Sequence, residues 1–305
     1  MMNGSLTESA VLAEGLVKSY GKVKALGGVS LDVRHGETFG IIGPDGAGKS
    51  TLFRLLTSLL VPDSGSAQVE GLDTVKDYRE IRKIIGYMPG KFSLYQDLTV
   101  EENLTFFATL FGTTIDENYH LIEDIYKQIE PFKARMAGKL SGGMKQKLAL
   151  CCALIHKPKV LFLDEPTTGV DPVSRKEFWD MLGRLKNDGI TILVSTPYMD
   201  EAGRCDRIVL IRNGKFLTVN SPAGIIAEFP DRLYSVRSDR MHALLGDLRA
   251  YSGTIRAFSF GESVHLSTGD GFSEDDLRKF LQDRKHNNVE INAIRPSVED
   301  CFMRI

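Results

Sequence analysis

Cysteine is scarce in this 305-residue sequence, which contains only four cysteines. Cys151 and Cys152 are neighbours in the apolar stretch LALCCALI, while Cys205 and Cys301 are isolated. No pair has the CxxC spacing that is typical of zinc sites and of redox sites. We therefore expect four reduced thiols that pack as small apolar side chains.

Long apolar runs and a strong charge of one sign are absent as well. No stretch approaches the roughly 18 consecutive apolar residues that indicate a membrane-spanning helix. The first residues, MMNGSLTESA, lack the basic and apolar segments of a signal peptide, so we expect a cytoplasmic protein. The net charge of −2 argues against a broad surface for nucleic acid, and we expect no nucleic-acid partner.

Strand and helix patterns predict an α/β core that is interrupted by a helical segment. In the core, continuous apolar strands alternate with helices, which predicts a mostly parallel sheet covered on both faces. At about residues 92–140 the apolar residues recur at helical spacing instead. Thr99 is a plausible N-cap there, and Glu102 completes a capping box. This segment is therefore predicted to be a helical insertion into the core.

The pattern changes again after about residue 229. The order strand, helix, strand, strand, helix, strand is that of a ferredoxin-like α+β unit. Residues 228–231, with the sequence EFPD, form a natural boundary. We predict a large domain at residues 8–229 and a small one at 230–305.

A phosphate-binding loop is predicted where the apolar strand at 38–42 meets a helix. The sequence GPDGAGKST matches G-x-x-x-x-G-K-[ST], in which glycines allow main-chain N–H groups to surround a phosphate at a helix N-terminus. Lys49 is expected to reach the outer phosphates and Ser50 to bind Mg²⁺. The residues predicted to contact ATP in this loop are Gly43, Pro44, Asp45, Gly46, Ala47, Gly48, Lys49, Ser50 and Thr51.

Two acids at the end of a second apolar strand complete this chemistry. In VLFLDEP, Asp164 is placed to hold Mg²⁺, directly or through water, together with Ser50. Glu165 follows at once and can polarise a water beside the terminal phosphate, so it is the predicted catalytic residue. These motifs together predict a P-loop NTPase.

A third motif narrows the prediction to one family. In LSGGMKQKLAL, Ser141 can cap a helix, and Gly142 and Gly143 leave its N-terminus open to an anion. In this order the stretch resembles the LSGGQ signature of ATP-binding cassette (ABC) ATPases. Tyr20 matches the family's adenine-stacking aromatic residue, and TTGVDP resembles its D-loop, with Asp171 near the dimer interface.

The resemblance covers about residues 8–229 and implies a fold, ligands and partners. It implies a cassette with N-terminal antiparallel strands and a helical subdomain that contacts a membrane partner. Two cassettes would pair head to tail, each ATP lying between the phosphate loop of one and the signature of the other. The ending RPSVEDCFMRI is similar to the small domain of ATPase subunits of ABC-2-type exporters. The chain would then need separate permease subunits and lie on the inner face of the cell membrane through them.

Two positions depart from the family pattern. Gly90 stands where the family has a glutamine that senses the terminal phosphate and Mg²⁺. Pro197 replaces the switch histidine, although the following MDEA matches, and proline offers neither a hydrogen bond nor a proton to phosphate. We expect Tyr198 to point elsewhere on the turn.

These losses allow three interpretations. In the first, this chain binds ATP, hydrolyses it slowly at its own loop, and works with a heterodimeric sibling. In the second, Gly90 and Pro197 are tolerated in an active homodimer, which the retention of Glu165 favours. In the third, the chain is a nucleotide-binding regulatory subunit without turnover. A soluble ABC ATPase acting on DNA or ribosomes would need long coiled coils or a second cassette, and the sequence has neither.

Overall fold

The computed structural model describes residues 9–305, which divide into two compact units between Ser221 and Pro222. In the first unit the strands are β1 (Ser9–Tyr20), β2 (Val23–Arg34), β3 (Thr38–Ile42), β4 (Ser64–Val69), β5 (Leu72–Asp73), β6 (Ile85–Met88), β7 (Val160–Asp164), β8 (Thr191–Thr196), β9 (Arg207–Arg212) and β10 (Lys215–Asn220). Its α-helices are α1 (Lys49–Leu56), α2 (Tyr78–Ile84), α3 (Val100–Leu110), α4 (Ile115–Tyr126), α5 (Gly142–Leu154) and α6 (Pro172–Asn187). Three short 3-10 helices are Glu130–Phe132, Ala137–Lys139 and Met199–Arg204.

The central sheet of the first unit has six strands in the order β10-β9-β3-β8-β7-β6. Its pairs are parallel from β9 through to β6, and β10 is antiparallel to β9. Every residue of β3, β7 and β8 is buried, because both faces of these strands are covered. The predicted parallel core is confirmed, and it brings the carboxyl ends of β3, β7 and β8 together.

A second sheet of the first unit is antiparallel, in the order β2-β1-β4-β5. This confirms the N-terminal antiparallel strands that the family resemblance implied. Buried residues from both sheets and from α1 share one apolar cluster, in which Phe53 and Phe162 meet edge to face at 5.7 Å between ring centroids. Helix α1, which follows the phosphate loop, is thus packed firmly against β7.

Helices fill the segment between β6 and β7, as predicted. The N-cap Thr99 accepts a hydrogen bond from the main-chain N–H of Glu102, and the Glu102 side chain returns one, so the predicted capping box is confirmed. Helix α4 begins with an equivalent box formed by Thr114 and Glu117. These caps satisfy main-chain donors that would otherwise be unpaired at the helix ends.

The second unit contains the strands β11 (Arg232–Arg237), β12 (Thr254–Phe260), β13 (Ser263–Thr268) and β14 (Glu290–Ile294), with the helices α7 (Pro222–Ala227), α8 (Met241–Ala250), α9 (Glu274–Asp283) and α10 (Val298–Arg304). Its antiparallel sheet has the order β12-β13-β11-β14, which is the ferredoxin-like order, and the predicted pattern is confirmed.

The structure divides earlier along the chain than the boundary at 229 predicted from sequence. Helix α7 packs against α10, and the thiol of Cys301 lies 3.5 Å from the carbonyl oxygen of Ile225. The segment before the EFPD stretch therefore contributes to the core of the second unit, which the strand pattern alone does not indicate.

All four cysteines are unpaired and buried, in agreement with the expectation of packed thiols. Burial raises the pKa of the Cys301 thiol to about 11, so this thiol stays protonated at neutral pH. Among residues 9–305 no helix is long and apolar enough to cross a bilayer.

Candidate functional site

The phosphate loop connects β3 to α1, and close main-chain contacts require glycine at its positions 43 and 48. The N–H of Gly43 donates to the carbonyl of Thr196 at 3.2 Å, which attaches the loop to the end of β8. A Cβ atom at Gly43 would lie 2.2 Å from the carbonyl oxygen of Ile211. Gly48 caps α1 with φ at 109°, and a Cβ there would lie 2.5 Å from the carbonyl oxygen of Ala25. Larger residues would force this loop open.

Lys49 is held inside the loop at only 3% exposure. Its ammonium donates to the carbonyl oxygens of Gly43 at 2.8 Å and Pro44 at 3.0 Å. It also lies 3.0 Å from Oε1 of Glu165, while Asp45 is 3.9 Å away and almost fully exposed. The predicted phosphate ligand and the predicted catalytic acid are therefore brought together, within reach of one bound phosphate.

Ser195 positions both acids at the end of β7. Its hydroxyl donates to Oδ1 of Asp164 at 2.6 Å and accepts from the N–H of Glu165 at 3.1 Å. The same N–H also approaches the Ser195 carbonyl at 3.0 Å. Glu165 has φ at 51°, a left-handed conformation that costs a non-glycine residue about 1–3 kcal/mol. Sequence reasoning missed Ser195, although a polar residue ending a neighbouring parallel strand was a usable signal.

The donors at this edge of the sheet suit Mg²⁺. The Asp164 carboxylate is 4% exposed, and Ser195 occupies one of its two oxygens. Ser50 offers a hydroxyl oxygen in the first turn of α1. Carboxylate and hydroxyl oxygens are the hard ligands that Mg²⁺ prefers, with water and substrate phosphates supplying the remaining ones.

Tyr87 on β6 lies near Asp164. Burial raises the pKa of Tyr87 to about 12, and the nearby charge of Asp164 adds to this effect, while Arg54 opposes it. The phenol therefore stays neutral throughout the physiological range, leaving Asp164 and Glu165 as the acidic groups of the site.

Gly90 lies directly against the two acids. A Cβ atom built at this position would be 3.0 Å from the carbonyl oxygen of Asp164 and 3.7 Å from Cβ of Glu165. A side chain at position 90 would thus border the predicted metal site, but only after the main chain yields by a few tenths of an ångström. Gly90 therefore offers no side-chain donor or acceptor to the site.

Pro197 follows the residue that anchors the phosphate loop. Thr196 pairs with Ile42 in the register of β3 and β8, and its carbonyl accepts from Gly43. The next residue, Tyr198, is turned away, since its ring lies 4.2 Å from the guanidinium carbon of Arg175. Position 197 is therefore beside the loop, and Tyr198 does not take its place.

The signature segment occupies a different part of the same unit. Ser141 caps α5 by accepting a main-chain N–H three residues later at 3.4 Å, so the predicted cap is confirmed. A Cβ at Gly142 would lie 3.6 Å from the carbonyl oxygen of Gly169, and one at Gly143 would lie 3.4 Å from Oγ of Ser174. The signature glycines thus border the segment that follows Glu165, and the structure does not join them to the phosphate loop of the same chain.

The two remaining predicted residues are at element ends. Tyr20 is the last residue of β1 and is 46% exposed, as an aromatic group available to a ligand must be. Asp171 caps α6, and hydrogen bonding to the main-chain N–H of Ser174 lowers the pKa of Asp171. Its carboxylate therefore serves the helix terminus, a role that the sequence analysis did not predict.

Comparisons with known proteins agree with this geometry. Residues 26–168 match the family model described as ABC transporter. The chain is 38% identical over 308 residues to the probable multidrug ABC transporter ATP-binding protein YbhF of Escherichia coli, covering 98% of this chain and 52% of that protein. It is 34% identical over 304 residues to the Nod factor export ATP-binding protein I of Rhizobium sp., covering 98% of each. A solved dimeric bacterial ABC transporter cassette matches with a TM-score of 0.64 and 26% identity, over 69% of this chain and 98% of that one. The chain thus spans about half the length of the Escherichia coli relative.

Proposed function

This chain belongs to the family of ABC transporter ATP-binding proteins, and on that premise we propose that it is the ATPase subunit of an ABC-2-type exporter. ATP binding and hydrolysis would drive export through separate permease subunits, with a second cassette completing each ATP site. The proposal is supported by two relatives that are described as a multidrug transporter protein and a Nod factor export protein. The proposal names no exported compound, because specificity for that compound is expected to lie in the permease.

The observation that carries the proposal is the cluster formed around the phosphate loop by the buried Lys49 and Asp164 and the half-buried Glu165. Phosphate oxygens of ATP would accept from Lys49 in place of the Glu165 carboxylate, which would free Glu165. Glu165 can then orient a water for attack on the terminal phosphorus. The bond between that phosphorus and the bridging oxygen breaks, which releases ADP and phosphate. Ser50 and Asp164 would hold Mg²⁺, whose charge offsets that of the phosphates.

Hydrolysis at this site is proposed to be slow. Gly90 and Pro197 border the site but have no side-chain hydrogen-bond donor for the terminal phosphate, whereas Lys49, Ser50 and Asp164 are retained for binding. Removing one preorganised donor from developing negative charge typically lowers a rate about 10²–10³-fold. The exposed signature of this chain would complete the site of a sibling cassette, which then carries the faster hydrolysis.

The proposal is tested by restoring both side chains, with Gly90→Gln and Pro197→His combined in one variant. Turnover of the purified chain in saturating Mg²⁺-ATP should rise about 10²–10³-fold above the unmodified chain. The matched control is Gly90→Ala with Pro197→Ala, which adds a Cβ and removes the proline without adding a donor. The control should show no gain. Fast turnover by the unmodified chain would contradict the slow-site proposal.

A second candidate is an active homodimer, which is favoured by the retained Glu165 and its contact with Lys49. Its specific activity should rise with the concentration of the chain, because two copies must meet. The regulatory alternative is separated by Glu165→Gln in the assembled transporter. If ATPase activity and export are then unchanged, this site binds nucleotide without contributing turnover.

The permease is proposed to dock in an apolar groove of the first unit. The groove has a volume of about 590 Å³ and lies among β6, α3 and α5. Apolar side chains dominate its lining, including Leu59, Met88, Leu110 and Phe111. Leu110 is 63% exposed, which suits a surface that a partner covers. Binding there would place the chain on the inner face of the membrane.

A further inference from the structure

A buried carboxylate outside the predicted site joins two segments that border the site. Glu201, in the 3-10 helix Met199–Arg204, is 3% exposed. Its Oε2 accepts from the hydroxyl of Thr196 at 2.6 Å, and its Oε1 accepts from the hydroxyl of Thr167 at 2.8 Å. Each oxygen therefore holds a different segment, and the single carboxylate links them through two short hydrogen bonds.

The first of these segments is the switch turn, residues 196–198. The hydroxyl of Thr196 also accepts from the N–H of Tyr198 at 3.0 Å, which fixes the turn around Pro197. The carbonyl of Thr196 accepts from Gly43 of the phosphate loop. The phosphate loop and the switch turn are therefore joined by a main-chain hydrogen bond.

The second segment is the D-loop, residues 167–172, which lies between Glu165 and α6. Besides the Thr167 side chain, its fold depends on main-chain bonds from Thr168 to Glu165 and from Val170 to Thr167. The D-loop also borders the signature, because a Cβ at Gly142 would contact the carbonyl of Gly169. The D-loop thus lies between the acids Asp164 and Glu165 and the signature, which is proposed to face the partner cassette.

Arg175 of α6 fixes the carboxylate in place. Its Nε and Nη2 atoms lie 3.1 and 3.0 Å from Oε1 of Glu201, and Nη2 also reaches Asp200 at 3.3 Å. The guanidinium of Arg175 also packs over the ring of Tyr198. Arg175 therefore compensates the charge of Glu201. Its contact with Tyr198 also joins α6 directly to the switch turn.

We propose that Glu201 and Arg175 are positioning residues that couple the phosphate loop to the D-loop. ATP bound at Lys49 would shift the switch turn, and Glu201 would carry that shift to Thr167 and so toward the partner's site. The inference rests on the proposed ATP binding, and it gives this slow site a task, namely to report its occupancy to the second cassette.

The test is amide hydrogen exchange of the full chain with and without Mg²⁺-ATP, in the unmodified protein and in Glu201→Gln. ATP should protect residues 43–51 and residues 167–172 in the unmodified protein. In the variant the protection of residues 43–51 should persist, and that of residues 167–172 should fall about 2- to 30-fold. The physical reason is that the amide is uncharged and has one acceptor oxygen, so the charge-assisted bond to either Thr196 or Thr167 is replaced by a weaker neutral bond in which the hydroxyl must accept.

Two further variants separate coupling from general damage. Arg175→Lys keeps the charge but loses the bidentate contact and the ring stacking, so it should show the same pattern more weakly. Arg204→Gln is the matched control, because its exposed pair with Asp180 at 3.4 Å joins the same two elements. It should leave both responses unchanged.

The outcomes distinguish this inference from the proposed function. If ATP does not protect residues 43–51 of the unmodified protein, ATP binding at this loop is wrong. If residues 43–51 respond everywhere and residues 167–172 respond equally in Glu201→Gln, Arg175→Lys and Arg204→Gln, the coupling through Glu201 is wrong. If circular dichroism shows that Glu201→Gln is unfolded, the comparison of Arg175→Lys with Arg204→Gln decides the question instead.

Discussion

The first unit contains two parts of the predicted ATP site that are built in opposite ways. The phosphate half-site consists of the phosphate loop with Asp164 and Glu165, and the signature half-site consists of Ser141, Gly142 and Gly143. Around the phosphate loop, Lys49 and Asp164 are almost fully buried, and each is held by short hydrogen bonds within the chain. In the signature, Ser141 and Gly142 are exposed, and one cap orders the helix start. A half-site that must hold charge before its ligand arrives needs buried partners, whereas one that meets a ligand held by another chain needs an open surface.

The departures at Gly90 and Pro197 both lie on the phosphate side of this comparison. Gly90 and Pro197 border the buried acids and the loop, yet Ser141, Gly142 and Gly143 keep the family residues. If the signature serves a sibling's site, its intact residues are needed for that site even where this chain's own turnover is slow. The comparison therefore predicts that the two half-sites respond separately to substitution.

The largest expected effect is on the phosphate side, from Lys49→Ala. Loss of charge-assisted hydrogen bonds to the phosphates should weaken Mg²⁺-ATP binding by the isolated chain about 10- to 150-fold. The measurement is titration with a fluorescent ATP analogue. Lys83→Ala is the control, because Lys83 is an exposed residue paired with Glu80 on α2. An unchanged affinity in Lys49→Ala would mean that ATP is bound elsewhere.

A smaller and more selective effect is expected from Ser141→Ala on the signature side. Loss of the N-cap should lower the free energy of unfolding by about 1 kcal/mol. ATP affinity of the isolated chain should be unchanged, whereas turnover of the assembled transporter should fall. Ser273→Ala is the matched control, since Ser273 caps α9 in the second unit. It should show a similar stability loss with turnover intact. Equal turnover losses in both would remove the distinction between the half-sites.

The smallest effect is expected at His156, which links the end of the signature helix to β6. Its Nε2 lies 2.8 Å from the carbonyl oxygen of Ile85, and its ring stacks on Phe111 at 3.8 Å. Burial lowers the pKa of His156 below its ordinary value of about 6.5, despite the opposing hydrogen bond. The unfolded chain therefore binds the proton first, so stability from His156 is present above about pH 6.5 and is lost as pH falls toward the folded pKa.

His156→Phe keeps the stacking and cannot titrate. The variant should be less stable at pH 7 by about 1 kcal/mol through the lost hydrogen bond, and the difference should narrow as the pH falls to 5. Thermal unfolding across this range is the measurement. His120→Phe is the control, because His120 is at an exposed position of α4, and its stability should change with pH in the same way as that of the unmodified protein. A gap that widens with acid would mean that the sign of the shift is wrong.

Local motifs made much of the fold and part of the site predictable. The phosphate loop, the capping box at Thr99 and the cap at Ser141 each depend on residues a few positions apart, so their spacing carries the information. Ser195 and Glu201 were not predicted, because their partners Asp164 and Thr167 are about 30 residues away in sequence. The domain boundary was placed late because the packing of α7 on α10 is likewise a long-range contact.

The sequence by itself determined the class of fold and the family, and it supplied the groups that are proposed to meet ATP, since glycine spacing and apolar periodicity act locally. It also contains the two departures from the family pattern, at positions 90 and 197, on which the slow-site proposal rests. Only the tertiary structure decided where these positions lie and what holds their neighbours. Parallel strands that are distant in the chain end side by side, so Ser195, Thr196 and Glu201 could be assigned to the site only once β3, β7 and β8 were in register.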